Sequence, residues 1–230
     1  MRTISSKQNP LVKRIREAIR EHADEIVIEG PKAVADAIAS GWKPIHVLER
    51  GVHVTGEVFD ALSETRTTQG VIGLFERPHA SVADILARRD TIAVALDGVQ
   101  DPGNVGTIVR LVAAFDAAGV LILPGSADPF GPKAIRSSAG AILHVPVASI
   151  THEELLRSGA SLVATAMSGQ ATDPPARNAV LVFGNEGTGV SQDLLSRSAL
   201  LAIPMTSRVE SLNVASSAAI LLARSYALRF

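Results

Sequence analysis

The sequence has 230 residues, of which 47% are hydrophobic and 20% are charged, a composition that excludes a globally disordered chain. The absence of cysteine excludes disulfides and cysteine-based zinc sites, and the six scattered histidines favour no metal site. We expect a cytoplasmic protein without a membrane segment, because charges stand where a signal peptide needs an apolar run and no run approaches the length of a membrane span.

The charge of the first twenty residues differs from that of the whole chain, which is −1. Glu17 is the one anion in this segment and stands against six cations, so the local balance is +5. Such a segment can bind phosphate groups, but it can equally form an amphipathic helix whose basic face is only solvated. The six cations are Arg2, Lys7, Lys13, Arg14, Arg16 and Arg20.

The first 77 residues predict a small α/β domain. Pro31 stands at the first position of a predicted helix and Gly41 follows its end, which is typical of helix boundaries. Predicted strands cover residues 25–29, 44–49 and 71–75, with a short helix near 55–63. The proline and polar residues of positions 76–84 predict a boundary between domains.

From residue 85 onward the pattern predicts an α/β domain built on a mostly parallel sheet. Short, continuous apolar runs are separated by segments of helix length, which is typical of strands covered on both faces. These runs span residues 91–99, 119–124, 162–167, 179–184 and 200–205. Ligands of such sheets bind beyond the carboxyl ends of the strands, so the loops after the runs are the places to search for a site.

The loop that begins at Asp97 is the first of three that hold candidate residues. Its glycines let the backbone approach a ligand closely, and Asn104 is placed to cap the helix that follows. Arg110 stands in the early part of that helix. Because helical side chains lean towards the N-terminus, its guanidinium is expected to reach back over the loop.

The other two loops are rich in glycine or in small polar residues. Glu186 lies among three glycines directly after an apolar run, which suggests a flat ligand against the backbone, and Ser191 is placed to cap the next helix. The third loop leads into a helix that we expect to begin near Ser211 to Asn213. The small residues at 215–219 predict close packing of another helix or subunit on that helix.

Familiar nucleotide-binding and hydrolase motifs do not explain these loops. The sequence contains no complete GxGxxG fingerprint, no Gly-Lys-Ser/Thr of a P-loop and no GxSxG elbow. Taken singly, each loop is an ordinary turn, and Asn104 and Ser211 are satisfied as helix caps. That interpretation does not explain why three such loops stand at the same end of one sheet.

Together, the loops resemble the SpoU-type (TrmH-like) RNA 2'-O-methyltransferases of the SPOUT class. DPGNVGTIVR resembles the first motif of that family, LVFGNEGTGVS the second and IPMTSRVESLNVASSAA the third. FGPKAIRSSAGAILHVPV also matches a family segment, and order and spacing agree over residues 91–228. NPLVKRI, IVIEGPKAVADAI and TTQGVIGLF are similar to the small RNA-binding domain often attached to these enzymes. The resemblance thus implies an RNA-binding domain over residues 1–77 and a methyltransferase domain over 85–230.

The resemblance also implies a trefoil knot in the second domain and a homodimer whose site lies near the subunit interface. S-adenosylmethionine is expected in the knot, against backbone and apolar groups that suit the neutral thioether left after transfer. The residues implied for the cofactor are Phe183, Gly184, Ile203, Met205, Leu212 and Asn213. Those implied for catalysis are Asn104, Arg110, Glu186, Ser211 and Asn213.

The resemblance casts Arg110 as the base, but physical chemistry favours another role. A guanidinium keeps its proton at any physiological pH, and a neighbouring phosphate stabilises that charged form further. We therefore expect Arg110 to clamp the RNA phosphate or to stabilise the developing alkoxide. Ser211 or a water molecule then relays the proton.

The function that the resemblance implies is methylation of a ribose in RNA, with large-subunit ribosomal RNA as the expected substrate. Transfer RNA is the alternative substrate, and antibiotic resistance through the same methylation stays open. A non-catalytic RNA-binding protein with the same fold is an alternative of a different class. The intact set of five candidate catalytic residues argues against that last alternative.

Overall fold

The chain folds into two compact units, and the computed structural model describes residues 3–21, 24–63 and 68–230. The first unit is Met1–Pro78 with Phe130–Ile135, and the second is His79–Pro129 with Arg136–Phe230. Arg2, one of the six cations of the N-terminal segment, lies outside the described residues. Among the helices that are described, none has the length and hydropathy needed to span a bilayer.

The described residues form α-helices, β-strands and one short 3-10 turn. The helices are α1 (Pro10–Glu21), α2 (Pro31–Ala39), α3 (Gly56–Asp60), α4 (Val82–Ala87), α5 (Pro102–Ala114), α6 (Pro132–Ser138), α7 (His152–Arg157), α8 (Gln192–Leu195) and α9 (Val214–Ala227), and the 3-10 turn is Ala141–Leu143. The strands are β1 (Glu25–Glu29), β2 (Pro44–Glu49), β3 (Val71–Glu76), β4 (Ile92–Asp97), β5 (Val120–Ile122), β6 (Val147–Ser149), β7 (Leu162–Gln170), β8 (Ala179–Gly184) and β9 (Ala199–Leu201).

The first unit is built on an antiparallel sheet in the order β1-β3-β2, with the strands where the sequence predicts them. Helix α1 buries Val12, Ile15 and Ala18, whose spacing of three residues places them along one side of the helix. Lys13 and Arg20 are exposed on the remaining surface of α1. The helix is therefore amphipathic, and Lys13 and Arg20 are available to solvent or to a ligand.

The second unit contains the parallel sheet that the apolar runs predict, and this prediction is confirmed. Its strand order is β6-β5-β4-β8-β7-β9, and every neighbouring pair is parallel. Strands β4 and β8 are buried along their whole length. This explains their continuous apolar sequences, since helices cover both faces of such a sheet.

The predicted strand at 200–205 is wrong beyond Leu201, where β9 ends. Pro204 has no backbone N–H and cannot continue a ladder of hydrogen bonds, so the chain leaves the sheet. Residues 202–213 then run without helix or strand up to the start of α9. Strand β6 was not predicted. The trefoil knot implied by the resemblance stays a prediction.

Candidate active site at the carboxyl ends of the parallel strands

Strands β4 and β8 lie side by side and end together. Asp97, the last residue of β4, is paired with Gly184, the last residue of β8. Strands β5 and β6 continue the sheet on the outer side of β4, whereas β7 and β9 lie on the outer side of β8. Such a reversal of strand order opens a crevice at the carboxyl ends, where α/β proteins bind their ligands.

Asn104 lies within the first turn of α5 and does not cap it, so that prediction is wrong. Asp101 is the cap, because its side chain accepts a hydrogen bond of 2.6 Å from the backbone N–H of Gly103. Pro102 occupies the first helical position, where its missing N–H costs nothing. The Asn104 amide is thereby left for contacts with other loops.

Asn104 joins the second and third candidate loops through its side-chain amide. Its Nδ2 donates to Oε1 of Glu186 at 2.9 Å, and its Oδ1 accepts from Nδ2 of Asn213 at 3.1 Å. Both partners fix which way the Asn104 amide is oriented. An ionised carboxylate only accepts, and Oδ1 of Asn213 already accepts from the backbone N–H groups of Ala215 and Ser216. Three of the five candidate catalytic residues therefore form one hydrogen-bonded chain.

The carboxyl group of Glu186 is held in its ionised form. Partial burial raises its pKa, but hydrogen bonds from the Asn104 amide and from the backbone N–H groups of Glu186, Gln100 and Asp101 outweigh that effect. The pKa consequently lies below its ordinary value. Oε2 accepts the N–H of Gln100 at 3.3 Å. At neutral pH, Glu186 is a hydrogen-bond acceptor that orients its neighbours, and it has no proton to donate.

Arg110 is exposed and stands outside this chain of hydrogen bonds. It is the ninth of the thirteen residues of α5, so the prediction that it lies early in the helix is wrong. The reason is that α5 begins at Pro102, ahead of Asn104, which moves Arg110 further from the helix start. Within the described ranges, its side chain forms no hydrogen bond or ion pair.

Ser211 is also exposed, and it precedes α9 without capping it. Asn213 takes the capping position, and the helix begins at Val214. The side chain of Ser211 has no hydrogen-bond partner among the residues that the structure describes. The hydroxyl is therefore open to solvent or to a bound substrate.

The residues implied for the cofactor fall into two groups. Phe183 and Gly184 end the buried strand β8, and a Cβ atom at Gly184 would lie 2.2 Å from the backbone of Gly189. Glycine is needed there because the following loop folds back onto the strand, a reason within the fold that the sequence interpretation did not include. The other group, Ile203, Met205 and Leu212, is half-buried on the irregular segment before α9.

That irregular segment suits a purine ring and a thioether. In the described part of the chain, the backbone groups of Ile203 and Met205 have no hydrogen-bond partner, because the strand ended at Leu201. Free backbone donors and acceptors beside apolar side chains are the usual lining of a small-molecule site. The residues present therefore fit S-adenosylmethionine.

A buried carboxylate that the sequence analysis missed holds the loop that contains Glu186. Asp97 is only 5% exposed, and its Oδ2 accepts the backbone N–H of Ser191 at 2.7 Å while its Oδ1 lies 2.8 Å from Nε2 of His152. An acidic residue at the end of a wholly apolar strand was an available signal, because burying a carboxylate without partners is costly. His152 gave no comparable signal.

Ser191 and Asn185 fix the two ends of the same loop. Ser191 takes the N-cap position of α8, but its side chain does not cap the helix as predicted, since its buried Oγ has no partner among the described residues. Nδ2 of Asn185 donates to the carbonyl of Gly98 at 2.8 Å, and Oδ1 of Asn185 accepts the N–H of Gly187 at 2.8 Å. The loop after β8 is thus tied to the loop after β4.

The chain is similar to RNA methyltransferases over nearly its whole length. The model of the SpoU rRNA methylase family matches residues 91–223. The chain is 33% identical to the 23S rRNA (guanosine(2553)-2'-O)-methyltransferase RlmP of Bacillus subtilis, over 88% of this chain and 84% of that protein.

Solved structures show the same likeness. The AdoMet-bound rRNA methyltransferase from Sinorhizobium meliloti has a TM-score of 0.88 at 30% identity, and the match covers 99% of this chain and 98% of that one. The SpoU methyltransferase AviRb from Streptomyces viridochromogenes, at 23% identity, shares the fold with a TM-score of 0.83 over 96% and 98% of the two chains. This chain therefore belongs to the SpoU rRNA methylase family and is an S-adenosylmethionine-dependent RNA ribose 2'-O-methyltransferase.

Proposed function

We propose that the enzyme methylates a ribose of large-subunit ribosomal RNA and that residues 1–77 bind this RNA, with residues 85–230 as the catalytic domain. The name of the Bacillus relative specifies 23S rRNA, and the match to it covers both parts of the chain. The observation that carries the catalytic part is the hydrogen-bonded chain from Glu186 through Asn104 to Asn213. A cytoplasmic location, where such an enzyme meets its substrate, belongs to the same proposal.

The proposed mechanism divides positioning from proton removal. Bound S-adenosylmethionine supplies an electrophilic methyl group. Asn104, oriented by ionised Glu186, positions the ribose, and positioning of this kind can remove a large part of a reaction barrier. Arg110, whose side chain forms no hydrogen bond or ion pair with the described residues, clamps the RNA phosphate or the developing alkoxide. The exposed Ser211 hydroxyl or a water molecule takes the proton.

The cofactor and subunit assignments rest on two further features. We propose that S-adenosylmethionine would be held by the backbone groups of Ile203 and Met205, which have no hydrogen-bond partner among the described residues, together with Phe183, Gly184, Leu212 and Asn213. Ala215 and Ala218 of α9 are buried, and α9 packs on α5. The homodimer that the resemblance implies is proposed to use surface that this packing leaves exposed.

The proposed role of Asn213 can be separated from its structural role. Asn213→Ala removes the cap of α9 and the link to Asn104, so we expect the free energy of unfolding to fall by about 1 kcal/mol and methyl transfer to drop. Asn213→Asp keeps a good cap but cannot donate to Oδ1 of Asn104. It should therefore unfold like the wild type and still transfer slowly. Denaturant unfolding and single-turnover methyl transfer measure the two effects. A wild-type transfer rate in the Asn213→Asp variant contradicts the proposed role of the link to Asn104.

The experiment that tests the proposed function is transfer of labelled methyl groups to undermodified total RNA. Ribose methylation is then mapped in large-subunit, small-subunit and transfer RNA. We expect label at one ribose of the large-subunit RNA. Label in transfer RNA alone establishes the alternative substrate, and no label in any fraction, with cofactor binding confirmed, overturns the proposal.

A further inference from the structure

Carboxylates neutralise many of the cations of the first unit. Each of these cations lies within salt-bridge distance of an acidic side chain. The pairs are Lys7 with Glu57, Arg14 with Glu25, Lys32 with Asp36, Lys43 with Glu76, and Arg50 with Asp60. To bind a phosphate, any of these cations has to share or give up its carboxylate.

Lys13, Arg16 and Arg20 are different, because their side chains have no ion-pair partner among the described residues. Their spacing of three and four residues places them within an arc of about 60° on α1, where Lys13 and Arg20 are exposed and Arg16 is half-buried at the border of the buried side. The row is about 10 Å long. Three cations without an ion-pair partner among the described residues therefore stand in one line, which we name the cationic row.

The cationic row borders a groove of about 610 Å³ between α1 and the segment that follows α3. Ala61, Leu62 and Ser63 form its other wall, and Glu17 is the one anion among the described lining residues. The described lining residues include no aromatic side chain, so they offer no surface for base stacking. The balance of +2 among the described lining residues and the length of the row suit a phosphodiester backbone.

We propose that the cationic row binds the phosphate backbone of the RNA substrate and holds it against this groove. This inference rests on the proposed function and adds to it the surface that is used. Phosphate contacts fix the position of a nucleic acid without reading its sequence. The row accordingly contributes affinity and orientation, whereas the choice of nucleotide lies elsewhere.

The test compares two variants that each lose three positive charges from the same unit. Binding of transcribed large-subunit RNA is measured between about 50 and about 200 mM salt. The first variant replaces the cationic row, as Lys13→Gln, Arg16→Gln and Arg20→Gln. The matched control replaces three cations that are paired on the surface, where ion pairs contribute little to stability, as Lys7→Gln, Lys32→Gln and Lys43→Gln.

We expect the row variant to bind more weakly and with a slope of log affinity against log salt that is smaller by about 2 to 3. Over this salt range, the wild type then loses about 15- to 65-fold more affinity than the row variant. The control variant should keep a slope close to that of the wild type. Cofactor binding and thermal unfolding verify that both variants are folded.

An unchanged slope in the row variant overturns the inference, and so does an equal loss of slope in the control, since net charge is then sufficient. Weaker binding to the intact ribosomal subunit but not to free RNA also overturns it, because the partner is then a protein surface. Failure of the wild type to methylate any RNA is a different outcome, which refutes the proposed function instead.

Discussion

Methyl transfer by an Arg110→Ala variant is expected to fall about 100- to 1,000-fold at saturating RNA and cofactor, the loss typical of a group that stabilises developing negative charge. Arg110→Lys should recover little of that loss, because an ammonium group does not reproduce the planar, bidentate fork of a guanidinium. Single-turnover transfer measures both rates. Retention of most of the wild-type rate by Arg110→Lys rules out the bidentate clamp.

The exposure of Arg110 makes this experiment easy to interpret. Since its side chain forms no hydrogen bond or ion pair within the described ranges, neither variant should change the free energy of unfolding or the affinity for the cofactor. Arg197→Ala is the matched control. It removes another exposed cation of the same unit that has no ion-pair partner among the described residues, and its transfer rate should equal that of the wild type.

Asp97→Ala is expected to lower the free energy of unfolding by about 1–3 kcal/mol, because it leaves the partly buried N–H of Ser191 without an acceptor. The loop between Asn185 and Ser191 is then released from β4, and the affinity for S-adenosylmethionine should fall with it. Denaturant unfolding and a cofactor titration give the two quantities.

Asp97→Asn is the informative partner of that variant. Its side-chain oxygen still accepts the N–H of Ser191. Its amide N–H can donate to Nε2 of His152 when the imidazole is neutral and carries its proton on Nδ1. We expect it to retain most of the stability and of the cofactor affinity that Asp97→Ala loses. Equal losses in the two variants would mean that the charge of Asp97, and not its hydrogen bonds, holds the loop.

The errors at α5 and β9 show the limits of predicting helix and strand boundaries from the local sequence. Asp101 and Asn104 are both good capping residues, and Pro102, which favours the first helical position, was the signal that distinguishes them. After Leu201 the apolar run continues although the strand does not. Ile203 and Met205 are apolar on a segment without regular structure, and a run of apolar residues alone does not separate the two cases.

Side-chain contacts between residues that are far apart in the sequence could not be predicted from the spacing of motifs. Motif resemblance brought Asn104, Glu186 and Asn213 together as candidates, but only the structure shows which atoms meet. Asp97 and His152 are 55 residues apart and have no shared motif. The strands, in contrast, were predictable, because a strand that is buried on both faces consists of a continuous run of apolar residues.

The direction of the hydrogen bonds from Glu186 to Asn213 has an evolutionary consequence. Each amide donates at one end and accepts at the other, so reversing the orientation of Asn104 would set oxygen against the carboxylate and nitrogen against nitrogen. Polarised networks of this kind are worth more as a whole than as separate pairs. A substitution at one of the three positions therefore breaks the hydrogen bonds of the others unless a second substitution restores them. We expect the three residues to vary together or not at all.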